Sequence, residues 1–247
     1  MGQDAGLPAQ RRGDPGRRVR RLPFHAAGVP VTAGIGGALT ALRAGSAVVV
    51  PNPPPLTHVV TATDPAVVNL AKARPASQPV AVWITTDALW SELAATLPLD
   101  HAAADLARRL LVDEMVTLLV PVDENRYPHW LAPAVHDGHA LLFGARWTPL
   151  RDLLTDIGLL YVSSANRTGT PPVATAAHAR TVFGPTVPVI EVSDSAQPGM
   201  ARRATTTIHL HRDRTLSLTR EGAQDFAHGG PEHYLDYLRD RDVDLTT

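Results

Sequence analysis

Strand-length apolar runs alternate with segments of helical periodicity along most of this chain, and that alternation constrains the fold more than any other feature. Helices interleaved with strands have to pack on the faces of a sheet, so the pattern predicts an α/β fold. The first helix is expected around Ala38, Leu39, Ala41 and Leu42, closed by Gly45, with a strand over residues 47–50. Four of the five residues 51–55 are proline, which fixes φ and removes the backbone donor, so an extended loop follows. Asp64 and Pro65 read as the N-cap and first residue of a helix that reaches Lys72. A strand over residues 79–84 precedes a helix capped at Thr86 or Asp87, and another helix fits residues 102–111.

The second half repeats the alternation. Strands are expected over residues 115–120, 140–145 and 159–162, with helices over residues 149–157 and 175–183 ended by Gly158 and Gly184. Three late strands, over residues 187–192, 205–210 and 215–219, have no helices between them, so part of the sheet is expected to be antiparallel. The expected architecture is a twisted sheet of mixed parallel and antiparallel strands with helices packed on it. Residues 1–31 carry Arg11, Arg12, Arg17, Arg18, Arg20 and Arg21 among Gly and Pro without periodicity. They read as a disordered basic tail, with an arm that contacts RNA as the alternative. The domain proper is expected over residues 32–223, and residues 224–247 as a polar C-terminal extension with an amphipathic turn or two.

Composition narrows the chemistry. A net charge of -1 gives no global reason to expect a nucleic-acid binder. The absence of cysteine excludes disulfides, thiolate metal sites and a cysteine nucleophile. No apolar run approaches the roughly 18 residues that cross a bilayer, and the arginine-rich start is no secretory signal, so a cytoplasmic protein is expected. Of 23 basic residues only Lys72 is a lysine.

Several segments could carry chemistry. Lys72 and Arg74 stand at a helix end, where an extended backbone would turn i and i+2 to one side and suit a polyphosphate. The same pair fits cations that merely cap the helix. Ser163 to Gly169 follow a buried strand, where α/β folds bind ligands and where ordinary turns also form. Arg146, Thr206, Thr207 and Arg220 lie at or near strand ends and have the same ambiguity. His136 with His139, and His209 with His211, raise a metal alternative. Neither pair has a carboxylate in a known metalloenzyme spacing, so no metal site is expected.

Taken in order, these segments resemble the YrdC family of threonylcarbamoyl-AMP synthases, over about residues 35–222. The resemblance rests on Ala38-Leu39-x-x-Leu42-x-Ala44-Gly45, then Val48-Val49-Val50-Pro51, Lys72-x-Arg74-Pro75, and Val116-Thr117-Leu118. It continues through Gly144-Ala145-Arg146, Ser164-Ala165-Asn166 with Gly169, Thr206-Thr207-Ile208 and Arg220-Glu221-Gly222. It implies a large basic cavity and a reaction of ATP, bicarbonate and L-threonine, or another amino acid, for the t6A modification of tRNA. By position it gives Lys72, Arg74, Ser164, Asn166 and Arg220 to ATP, and Arg146 and Thr206 to the amino acid. Mg²⁺ is expected with the ATP. A non-catalytic nucleotide- or RNA-binding paralogue, and carbamoyl-adenylate chemistry on another substrate, are the alternatives. Where the family reads P-T-[DE]-T-x-Y-G-L, this chain has Pro51-Asn52-Pro53-Pro54-Pro55-Leu56-Thr57-His58.

Overall fold

A computed structural model describes residues 32–124, 126–192 and 200–244. The tail expected over residues 1–31 lies outside them. The chain enters at β1 (Thr32–Ala33) and α1 (Ile35–Arg43), then forms β2 (Val48–Val50) and β3 (Val59–Ala62). Next come α2 (Pro65–Ala71), β4 (Ala81–Trp83), α3 (Asp87–Ala94), α4 (His101–Val112) and β5 (Thr117–Pro121). A 3₁₀ segment over His129–Ala134 leads to β6 (Val135–His136) and β7 (His139–Phe143). Then follow α5 (Arg151–Ile157), β8 (Leu160–Ser164), α6 (Ala176–Phe183) and β9 (Val189–Ile190). The last elements are β10 (Thr207–Leu210), β11 (Leu216–Arg220), α7 (Ala223–Ala227) and α8 (Pro231–Asp244).

The strands form one open sheet in the order β1-β9-β2-β3-β8-β4-β7-β5-β10-β11, with β6 beside β7. The pairs β2–β9, β4–β7 and β5–β10 are parallel, whereas β3–β8, β4–β8, β5–β7 and β10–β11 are antiparallel. The mixed α/β sheet expected from the alternation is therefore the one observed. Three strands, β1, β3 and β6, were not expected from the sequence, and β3 is the longest of them. It is a four-residue run squeezed between the proline loop and α2, and all four residues are buried.

Strand periodicity divides the interior. Val49, Val60 and Val82 belong to one core cluster, and their neighbours Val48, Val50, Val59, Ala81 and Trp83 to a second on the opposite face. The larger cluster receives Val68 of α2, Trp90 and Leu93 of α3, Leu110 of α4 and Phe183 of α6. Tyr234 and Leu238 of α8 join the same cluster, so the segment after residue 223 folds as helix against the main core. The second face is covered by Ala38 and Leu42 of α1 and Leu153 and Leu154 of α5. Those helices leave part of that face free to floor a cavity.

Two glycines of the family-like motifs have a steric reason. A Cβ on Gly144 would lie 2.0 Å from the Leu111 carbonyl oxygen, where the end of α4 crosses β7. A Cβ on Gly222 would lie 2.3 Å from the Thr206 nitrogen, so only glycine lets the end of β11 run this close to the start of β10.

Candidate functional site

The site begins at the end of α2. Asp64 caps this helix by accepting from the Ala66 N–H at 2.8 Å, and Pro65 opens it. Lys72 is the C-cap, still helical, and Ala73 then takes φ of 55°. The expectation of an extended backbone past the helix is therefore corrected: a left-handed turn, not a β conformation, brings Lys72 and Arg74 to one cavity. Asn69, an amide on an otherwise apolar helix face, fixes that turn. Its Nδ2 donates to the carbonyls of Ala76 and Gln78, both at 2.8 Å, and its Oδ1 accepts from Arg74 Nε at 2.5 Å.

The end of β8 meets this turn. Lys72 Nζ donates to the Ser164 carbonyl and, at 2.7 Å, to Asn166 Oδ1. The Ser164 hydroxyl donates to the same Oδ1 at 2.7 Å. Asn166 Nδ2 donates to the Thr170 carbonyl at 2.6 Å, which holds the loop in shape. Arg167 Nη1 donates to the Ala71 carbonyl at 2.7 Å and ties the loop to the last turn of α2. From the other side β11 delivers Arg220, whose Nη2 donates to the Thr205 carbonyl at 2.9 Å. The Thr205 and Thr117 hydroxyls share a hydrogen bond of 2.6 Å.

These groups surround a cavity of about 320 Å³, a size suited to a small-molecule ligand. Lys72, Arg74, Ser164, Asn166 and Arg220 all line it. Its floor is the apolar sheet face of Val59, Ala81, Phe143 and Val162. None of the described lining residues is acidic. Lys72 is only 3% exposed. Burial, helped by the charge of Arg74, lowers its ammonium from the ordinary lysine value to about 7. Burial lowers Arg74 and Arg220 as well.

The remaining wall is the proline loop, where Asn52 and Thr57 face the cavity. Asn52 is 1% exposed; its Nδ2 donates to the Thr57 carbonyl at 2.8 Å, while its Oδ1 is buried without a partner. Behind the loop, burial and the neighbouring Arg202 lower the His58 imidazole to about 4.

Two residues assigned by resemblance lie elsewhere. Arg146 is not among the cavity's lining residues. Its Nε donates to the Ile84 carbonyl at 3.0 Å and its Nη1 pairs with Asp87 at 2.9 Å. That hydrogen bond is the main reason the Asp87 carboxyl stays below the usual carboxylate range. Arg146 lines a separate cleft with Thr85, Trp147 and Arg151. Thr206 is fully buried and points away, donating to Asp225 Oδ1 at 2.5 Å. Its neighbour Thr205 lines the cavity instead, because alternate residues of an extended segment face opposite ways. Sequence reasoning missed Asn52, Asn69, Thr117 and Thr205. The alternation within the threonine run 205–207 was the available signal for Thr205.

The histidines do not form a chelate. His139 and His209 meet edge to face with ring centroids 4.4 Å apart, and His209 and His211 at 3.9 Å. His136 pairs with Asp137 at 3.2 Å. Among the described residues no group of three His, Asp or Glu side chains is arranged to hold a metal ion. Among them, too, no helix is long and apolar enough to cross a membrane.

Fold and cavity together define an open, mixed-sheet α/β protein with a cationic ligand pocket on one face. The family model described as Sua5/YciO/YrdC, telomere recombination, matches residues 40–222, and the chain belongs to that family. Solved structures agree in fold. Sua5 from P. abyssi, as a double variant and as a complex with L-threonine, superposes with a TM-score of 0.59 at 20% and 19% identity. The match covers 78% of this chain and only 57% and 55% of those chains. YciO from E. coli matches with a TM-score of 0.57 at 16% identity, over 76% of this chain and 89% of its own. Full-length HypF in a phosphate- and nucleotide-bound form matches with a TM-score of 0.52 at 13% identity, over 77% of this chain and 29% of its own. No curated protein matches the sequence.

Proposed function

We propose that this chain binds ATP in the cavity at Lys72 and joins it to bicarbonate and an amino acid. The products are a carbamoyl-aminoacyl adenylate of the threonylcarbamoyl-AMP type and pyrophosphate, made for the t6A modification of tRNA. One observation carries this reading: the ends of α2, β8 and β11 bring Lys72, Arg74, Ser164, Asn166 and Arg220 to one cavity whose described lining residues include no acidic one. A triphosphate is the small ligand whose charge such a lining balances. The apolar floor of Val59, Ala81, Phe143 and Val162 suits the flat face of a nucleobase.

The chemistry asks little of a base. The amine of the amino acid condenses with bicarbonate to a carbamate and releases water; a carboxylate oxygen of that carbamate attacks the α-phosphorus, and pyrophosphate leaves. Preorganised donors that hold the phosphates in line and neutralise the departing charge do most of the work. Lys72, Arg74 and Arg220 supply the cations; Ser164 and Asn166 orient Lys72, Asn69 orients Arg74 and Thr205 orients Arg220. The described lining residues offer hydroxyls and amides but no carboxylate, so Mg²⁺ enters with the nucleotide as part of the substrate. L-threonine is the named ligand of the Sua5 neighbour and the first amino acid to test here. A cytoplasmic setting goes with this reading.

A second reading, a nucleotide binder without catalysis, is favoured by the loop over residues 51–58. It carries three consecutive prolines, Asn52 and His58, and neither the tyrosine nor the glycine of the family pattern. Titration with ATP, followed by pyrophosphate release with bicarbonate across a panel of amino acids, separates the two. The enzyme reading expects release that needs both bicarbonate and one amino acid. ATP binding without release under every combination supports the binder, and no ATP binding sinks both.

A further inference from the structure

We propose that the cavity takes up its polyanion together with a proton, and that Lys72 is the group that accepts it. The inference rests on the ATP-binding reading. Its basis is the arrangement of charge around the cavity. Lys72 Nζ is surrounded by uncharged acceptors, the Ser164 carbonyl, the Ser164 hydroxyl at 3.5 Å and Asn166 Oδ1 at 2.7 Å. The charged groups that share its cavity are Arg74, two residues along the same turn, and Arg220 from the end of β11. Among the described residues, none that lines the cavity is a carboxylate that would offset them. Lys72 is therefore a buried cation with Arg74 close beside it and Arg220 at the more open side of the same cavity. A guanidinium does not release its proton in a protein, whereas an ammonium can. The strain of the uncompensated cluster falls on the lysine.

Burial and Arg74 accordingly bring Lys72 down to about 7. A bound triphosphate supplies the missing negative charge beside Nζ and raises that value again. Above neutral pH the empty cavity holds mostly the neutral amine and the loaded cavity the ammonium. The difference is a proton drawn from solvent on binding. By linkage, affinity must then fall as pH rises above about 7, by about tenfold per pH unit until the value of the complex is reached. The same logic gives a chemical role to the composition. Of 23 basic residues 22 are arginine, and the single lysine stands where a releasable proton is useful.

Isothermal calorimetry of ATP binding at about pH 8, in two buffers of different ionisation enthalpy, reads the proton directly. The expected result for the native protein is uptake of close to one proton. Lys72→Arg keeps the charge permanently, so it should bind ATP with almost no uptake and a flat affinity between about pH 7.5 and 9.5. Arg74→Gln removes the nearest repelling charge and should move the midpoint of uptake to higher pH, which keeps the idea testable if Lys72→Arg does not fold. ATP binding by the native protein without proton uptake overturns the inference and leaves the nucleotide reading standing. Undiminished uptake in Lys72→Arg also overturns it, and absence of ATP binding overturns both.

Discussion

The wall that carries Lys72 and the wall made by residues 51–58 face one cavity and are built by opposite means. The first is a cluster of charge and dipoles. Lys72, Ser164 and Asn166 share hydrogen bonds with one another, and Asn69 and Arg167 fix the turns that present them. The second wall presents no charge to the cavity. Three successive prolines stiffen it, and backbone bonds lock it to residues 202–204: Thr57 N–H to the Arg203 carbonyl, and Arg203 N–H to the Pro55 carbonyl, both at 2.9 Å. Arg202 Nη1 adds a bond to the Leu56 carbonyl, also at 2.9 Å. A charged wall supplies attraction for any ligand of the right sign. A rigid neutral wall supplies shape, which is how a site discriminates between partners of equal charge. Nucleotide affinity should therefore depend on the first wall and the choice of second substrate on the other.

The largest test of that division removes the charge. Lys72→Met is expected to weaken ATP by about 100-fold at neutral pH, equivalent to about 3 kcal/mol, the scale on which a buried charged contact is lost. Fluorescence or calorimetric titration reads it, and a change below about threefold would place the affinity elsewhere in the cavity.

How much of this was legible in the chain follows the same division. The charged wall stands at the ends of regular elements, which local pattern marks as candidate places, but it was the family resemblance that assigned these residues to one ligand. Lys72 closes a helix that Asp64 and Pro65 announce, Ser164 ends an apolar run and Arg220 ends an alternating one. The neutral wall depends on contacts nearly 150 residues apart, between the proline loop and residues 202–204, which no local pattern encodes. The strand β3 was hidden for the same reason. Four residues between two breakers carry too little periodicity, and only pairing with β2 and β8 makes them a strand. Thr206 was misplaced by one residue, because a motif gives a position along the chain and not the face on which it points. Its partner Asp225 lies in α7, within a segment that reads as a polar extension.

The next effect in size concerns the neutral wall and acid. His58 is buried, its Nδ1 has no hydrogen-bond partner, and its imidazole titrates at about 4 instead of the ordinary 6.5. Its folded value is depressed, so the unfolded chain binds more protons between those two values. Stability from this group is therefore full above about pH 6.5 and is lost as pH falls towards 4. The expected loss over that window is about 3 kcal/mol. His58→Phe should flatten the acid limb of a urea-unfolding series between those pH values. It should leave ATP affinity near neutrality almost unchanged, since the ring is already uncharged there. An acid limb as steep as that of the native protein would show that other groups set it.

The smallest effect is expected at Arg146, and it sharpens the comparison because resemblance and geometry disagree there. The family pattern gives this arginine to the amino acid. In the structure it spans the Ile84 carbonyl and Asp87, outside the cavity that holds Lys72. Asp87 is largely exposed and also receives Arg108 at 3.1 Å, so the pair is solvent-screened and weak. Arg146→Gln should then change ATP affinity by less than about twofold, and unfolding free energy by less than about 1 kcal/mol. Amino-acid-dependent pyrophosphate release is the discriminating readout. If release persists in Arg146→Gln, the amino acid is held by the walls of the main cavity, with Asn52 and Thr57 next to be replaced. If release vanishes while ATP still binds, the guanidinium must leave Asp87 and swing into the cavity during the reaction. The division between a charged wall and a neutral one would then hold only for the empty site.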